Sequence, residues 1–114
     1  MKRGEIWTVS GGPGYAGKPR PAVILQSDLL VDSPSLLTCG FTSRASEDAP
    51  LRPLIEPSPG NGLRMPSNLM SEKLTAVPRA RLGHQVGSLS AEDIARVEQA
   101  LLLVLGFEKR LGIE

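Results

Sequence analysis

Histidine and cysteine are nearly missing from these 114 residues, with one of each, His84 and Cys39. A single thiol forms no internal disulfide, and one Cys with one His leaves no Cys-rich zinc site. Ribonuclease chemistry by a histidine pair is excluded by the same count. A serine triad is excluded as well, because no Gly-x-Ser-x-Gly occurs. The acids are scattered, apart from Glu47-Asp48 in a loop and Glu92-Asp93 ahead of an apolar run, so the carboxylate cluster of a two-metal nuclease is absent. No metal and no cofactor is expected. Cys39 reads as a buried, inert thiol. His84, between Gly83 and Gln85, stands apart from other candidate groups and reads as structural.

Long apolar stretches are missing too. The longest, Ala100 to Leu105, is too short to span a bilayer. No apolar core of a secretory signal follows Met1-Lys2-Arg3, so the expected location is cytoplasmic. Excess charge is lacking: thirteen Lys and Arg face twelve Asp and Glu, for a net charge of +1. That balance neither demands nor forbids a nucleic-acid partner, since a local basic patch suffices. A nucleotide-binding P-loop is excluded despite Gly12-Pro13-Gly14-Tyr15-Ala16-Gly17-Lys18, because Pro19 stands where the magnesium-holding Ser or Thr belongs. The loop would also have to open a helix.

What the chain does have is punctuation. Ten Pro and twelve Gly cut its first three quarters into short pieces, which suits strands and turns. Strands are expected at Glu5–Ser10, Pro21–Gln26, Leu36–Thr42 and Arg52–Glu56. The segment Leu69–Val77 fits a helical stripe, while Pro66 and Pro78 around it favour a strand. Ser10–Lys18 is a Gly-rich loop, either a plain hairpin connection or a flap with Tyr15 free to stack on a base. One helix is expected from a Ser90 cap, with Ile94, Val97, Leu101, Val104 and Leu105 on one face and Gly106 as its stop. With 40% hydrophobic residues, this describes a single domain over 1–114: mainly β, a small barrel with a docked C-terminal helix.

Two features could carry chemistry. Arg20 stands at the mouth of one strand, and Thr42-Ser43 close another. Each alone reads as a surface charge and a turn. Together they could hold a phosphate, the guanidinium forking onto its oxygens and the hydroxyls completing the shell.

Several pieces also occur in the order of a known family. Gly4-Glu5-Ile6-Trp7, a Gly-rich loop, Arg20-Pro21-Ala22-Val23-Ile24-Leu25, Thr42-Ser43, Gly62-Leu63, Glu72-Lys73-Leu74-Thr75-Ala76-Val77 with Arg81-Leu82, and Val86-Gly87-Ser88-Leu89-Ser90 together resemble the MazF/PemK (Kid-like) toxins of type II toxin–antitoxin systems. The resemblance covers nearly the whole chain. It implies an SH3-like barrel of the CcdB/PemK kind and makes Leu69–Val77 a strand. It implies a homodimeric, metal-independent endoribonuclease that cuts single-stranded RNA at a short sequence and is silenced by the acidic, flexible segment of an antitoxin. The reaction it implies is attack of a ribose 2′-OH on the neighbouring phosphate, leaving a 2′,3′-cyclic phosphate and a 5′-OH.

Mapped residue by residue, the resemblance makes Arg20, Thr42, Ser43 and Glu72 the catalytic candidates. Arg20 would stabilise charge on the phosphorus oxygens, and Glu72 could serve as base. Tyr15, Lys18, Arg44, Arg79 and Arg81 are candidates for binding RNA. There are departures: Gly40 replaces a Pro common in relatives, and Met70 stands where the Kid-like branch has an Arg. The rival reading is a CcdB-like binder of DNA gyrase with no enzymatic activity, but the chain lacks the Trp-Gly-Ile type of ending such proteins use.

Overall fold

The structure, a computed structural model, describes residues 1–11, 18–44, 46 and 49–109. Its strands are β1 (Glu5–Val9), β2 (Arg20–Ile24), β3 (Ser35–Thr42), β4 (Leu54–Ile55), β5 (Ser67–Leu69), β6 (Thr75–Pro78) and β7 (Leu82–Ser88), followed by helix α1 (Ala91–Val104). The strands form one curled antiparallel sheet in the order β4-β5-β3-β2-β1-β7, a half-barrel, with β6 also on β3. β3 is long enough to serve three neighbours. Ser35–Thr38 pair with β6, Thr38–Gly40 with β2, and Phe41 and Thr42 with β5.

Alternation along the strands sorts the side chains into two cores. The row Ile6, Val23 and Cys39, in register across β1, β2 and β3, faces α1 and packs with Ile55, Leu69, Val97 and Leu101. The opposite face gathers Val9, Ala22, Ile24, Leu36, Val77 and Leu82. Burying a side chain such as Val97 contributes about 1.5–3 kcal/mol, so α1 is the clamp on the first core. Its start is capped as the sequence predicts: the Asp93 backbone N–H donates to Ser90 Oγ at 3.1 Å. Gly106, at φ +75°, lets the chain leave the last turn in a left-handed conformation. An ion pair from Arg3 to Glu98 (2.8 Å) ties α1 to the N-terminal segment.

Three differences from the sequence-based expectation have local causes. The fourth strand shrinks to Leu54–Ile55. The segment 69–77 is not one strand: it leaves β5, makes a 3-10 turn at Ser71–Lys73 and enters β6. The turn forms because the Met70 N–H donates to Gly40 O (2.9 Å) and the buried Ser71 hydroxyl bonds to the Leu51 carbonyl. Finally, β7 escapes pattern reading because Gly83 and Gly87 interrupt it. Both are required by close approach. A Cβ on Gly83 would meet Thr8 Oγ1 at 2.4 Å, and one on Gly87 would meet the Asn61 carbonyl carbon and oxygen at 2.5 Å. Among the described residues, no helix is long and apolar enough to cross a membrane.

Candidate active site

Arg20 opens β2 opposite Val9 of β1, with its side chain exposed. With Pro21 and Phe41 it lines two hollows at once and so forms the ridge between them. The larger, about 620 Å³, also receives Thr8, Ser43, Arg64, His84 and Gln85. The smaller, about 330 Å³, receives Thr38, Met70, Lys73 and Thr75. Arg20, Arg64, Lys73 and His84 therefore surround a ridge whose two hollows are lined by no carboxylate among the described residues. Such a surface suits an anionic chain with a phosphate on the ridge, since guanidinium groups fork onto phosphate oxygens.

The backbone explains how the two sequence features meet. The β2–β3 register pairs Ala22 with Gly40. That pairing ends two residues short of Arg20 and Thr42, and Thr42 lines neither hollow that holds Arg20. β3 has by then turned to pair with β5, which opens the space in which the larger hollow lies. Ser43 lines that hollow with Arg20. Thr42 Oγ1 accepts from the Arg44 N–H at 3.3 Å and so shapes the turn that presents Ser43. Buried Asn68 anchors the following loop. Its Oδ1 accepts from the Ser46 N–H at 2.6 Å, and its Nδ2 donates to the carbonyls of Ser46 (2.9 Å) and Arg52 (2.6 Å).

Other expected residues fall elsewhere. Glu72 lies on the 3-10 turn and lines neither hollow that holds Arg20. It faces Pro50 and Leu51 across a separate, shallow surface. Arg52 Nε donates to both of its carboxylate oxygens (3.1 and 2.9 Å), and Nη2 pairs with Oε2. Hydrogen bonding from Arg52 holds the Glu72 carboxyl below its ordinary value. Arg79 is engaged in the fold instead of facing the ridge: Nη2 donates to Val31 O (2.6 Å) and Ser33 O (2.9 Å), and Nε to Ser33 O (3.2 Å). Lys18, Arg44 and Arg81 are exposed. Tyr15 lies outside the described residues.

Sequence reasoning missed Arg64, Lys73, His84 and Gln85. His84 stands apart only along the chain. Once β7 is recognised beside β1, and β1 beside β2, it lies on the same patch as Arg20. Arg64 sits in a loop rich in Gly and Pro with no periodicity to place it. Among the described residues, no three His, Cys, Asp or Glu side chains gather as a metal site would require. Burial pushes the Cys39 thiol up to about 11, as an inert core thiol requires. A further hollow of about 550 Å³ between β4 and α1 holds Arg52 and Arg96, but Arg96 is engaged by Leu54 O and Asp93 as Arg52 is by Glu72.

Comparison with known families matches residues 2–105 to the PemK-like, MazF-like toxins of type II toxin–antitoxin systems. The chain belongs to this family. Among its relatives is a probable endoribonuclease MazF of Mycolicibacterium smegmatis, 42% identical over 106 residues, covering 93% of this chain and 97% of the relative. Endoribonuclease MazF9 of Mycobacterium tuberculosis is 29% identical, covering 92% and 96%. Solved structures share the fold. A mycobacterial endoribonuclease in complex with its cognate antitoxin superposes with a TM-score of 0.75 at 17% identity, covering 94% of this chain and 96% of that one. A MazE–MazF crystal structure from Deinococcus radiodurans gives 0.73 at 22% identity, covering 93% and 96%.

Proposed function

We propose that this protein is the toxin of a type II toxin–antitoxin pair and an endoribonuclease that cuts single-stranded RNA at a short sequence. The single observation that carries this reading is the ridge of Arg20 between two hollows lined by no carboxylate among the described residues. A phosphodiester at the ridge would leave one nucleotide for each hollow. In-line attack by the ribose 2′-OH builds negative charge on the phosphorus oxygens, and the Arg20 guanidinium would stabilise that charge. An arginine stays protonated and is a poor general base, so its role is to stabilise the oxygens, and it could still donate a proton to the departing 5′-oxygen. Ser43 would orient the phosphate, with Thr42 holding its turn. The products are a 2′,3′-cyclic phosphate, or its opened 3′-phosphate, and a 5′-OH. DNA, lacking the 2′-OH, would survive.

Among the described residues no carboxylate lines either hollow to hold a divalent ion at the ridge, so the reaction is expected to run in a chelator. A homodimer would lengthen the short groove of one half-barrel through an isologous seam. In the cytoplasm, the acidic segment of an antitoxin would then compete with RNA for the basic patch. The gyrase-binding alternative leaves the ridge without a role.

The test incubates purified protein with a long RNA in EDTA, maps the ends, and repeats the incubation with DNA of the same sequence. Cleavage of RNA alone, with cyclic phosphate and 5′-OH ends, supports the reading. A strict magnesium requirement or 5′-phosphate ends would sink the mechanism.

A further inference from the structure

The reaction proposed above needs a group that accepts the 2′-OH proton, and the ridge is rich in donors but poor in acceptors. Arg20 and Arg64 are permanent donors. Ser43, Thr8 and Gln85 are too weakly basic to take a proton in the transition state. Glu72 is the acid that sequence resemblance brings to mind, but Arg52 occupies its carboxylate and it lines neither hollow with Arg20. One side chain in the larger hollow is left. Imidazole can take up a proton near neutral pH, which is why it is the commonest general base.

We infer that His84 is the general base of this site, the catalytic residue that removes the 2′-OH proton while Arg20 holds the phosphate. The inference rests on the RNA-cleavage reading above. His84 is exposed to the larger hollow, which it shares with Arg20 and Ser43. Its backbone is fixed from β1, where Thr8 Oγ1 accepts the His84 N–H at 3.1 Å. Thr8 Oγ1 can come that close only because residue 83 is glycine. β7 and β2 are two strands apart, with β1 between them. At the usual strand spacing that sets their backbones about 10 Å apart, room for a ribose and its phosphate between an imidazole and a guanidinium.

The step balances without a further reactant. The 2′-oxygen bonds to phosphorus as its proton passes to the His84 imidazole. The bond from phosphorus to the 5′-oxygen breaks, and that oxygen takes a proton from Arg20. The imidazolium then passes its proton through water to the neutral Arg20 guanidine, so both side chains are restored and the net transfer is from the 2′-OH to the 5′-OH. The charged groups that line the hollow beside His84 are Arg20 from β2 and Arg64 from the 62–66 loop, while β1 contributes the uncharged Thr8.

The test measures initial cleavage of a long RNA in EDTA from pH 5.5 to 9 for the parent, His84→Gln and His84→Ala, with thermal melts of each. The parent rate should rise with pH and then level off, as a step that needs an unprotonated base requires. His84→Gln should melt like the parent, lose about two to four orders of magnitude in kcat with little change in KM, and lose the rising limb. Added imidazole should restore part of the His84→Ala rate, which loss of a merely structural side chain would not allow. If the parent cuts RNA and His84→Gln cuts it at the same rate with the same pH profile, this inference falls and the RNA-cleavage reading stands. If the parent cuts no RNA, both fall.

Discussion

His84 and Glu72 are both ionisable, both exposed, and separated by 12 residues of chain, yet their neighbours leave them different work. His84 sits on β7 and lines a hollow whose charged residues are two arginines among the described residues, with its backbone held by Thr8. Glu72 sits on a 3-10 turn with its carboxylate forked onto Arg52, and it faces a loop instead of the ridge. The difference shows that residue type alone does not make a catalyst. A carboxylate already committed to a guanidinium has little basicity to offer, whereas an imidazole beside an anion-holding arginine is placed to move a proton.

Beside the His84 variants, the largest effect should come from Arg20, a cation that lines both hollows. Arg20→Ala removes the one cation among the described residues that lines both hollows, and its exposed position at a strand mouth predicts an unchanged melt. Loss of one transition-state donor typically costs about two to three orders of magnitude in rate. Arg20→Lys should recover little, because a point charge cannot fork onto two phosphate oxygens. Single-turnover cleavage of RNA measures both variants. Parental rates from a folded Arg20→Ala protein would move the chemistry away from the ridge altogether.

Next in size are Arg64 and Lys73, one cation in each hollow. Their loss should weaken RNA binding and lower the slope of log affinity against log salt by about one for each phosphate contact removed. Turnover at saturating RNA should change far less than in Arg20→Ala. A large fall in kcat for either would mean that the cation works on the scissile phosphate instead of a neighbour.

These residues mark where sequence reading stopped. The strands β1 to β3 and helix α1 were legible because their signals are local: β-branched runs, a Ser90 cap, a 3.6-residue apolar repeat and a terminal Gly106. Arg20, Thr42 and Ser43 were legible because each sits at the edge of such an element. β7 was not, since Gly83 and Gly87 are demanded by Thr8 and the Asn61 carbonyl, contacts that lie 75 and 26 residues away in the chain. With β7 unseen, His84 had no neighbours. Arg79 is named from the sequence only as a candidate for binding RNA. Its three bonds to the carbonyls of Val31 and Ser33 form only after β3 and β6 pair.

Arg79 therefore supplies a structural counterpart to Arg20. Arg79→Ala leaves two loop carbonyls without their charged donor, which should cost about 1–3 kcal/mol. A lowered melting temperature with nearly parental cleavage at a temperature where the variant is folded is the expected outcome. Lost cleavage in a variant that melts like the parent would return Arg79 to the RNA-binding surface.

The smallest effect should come from Glu72→Gln, and it sharpens the comparison with His84 most directly. Ion pairs this exposed contribute little to stability, because solvent screens them and two long side chains must be held still. The melt should move only slightly, and cleavage at saturating RNA should stay near the parent's. The sign of the pH dependence follows from the Arg52 hydrogen bonds, which hold the Glu72 carboxyl below its ordinary value. The pair's contribution is then fully present above the carboxyl's unfolded value and lost as pH falls through the lower folded one. Parent and Glu72→Gln melts should differ near neutrality and converge in acid. Cleavage should show no such convergence, because the proton the reaction moves belongs to the other side of the ridge. If Glu72→Gln instead abolishes cleavage, flattens the rising limb of the rate and leaves the melt alone, then Arg52 must release Glu72 when RNA binds, and the carboxylate takes the part assigned here to His84.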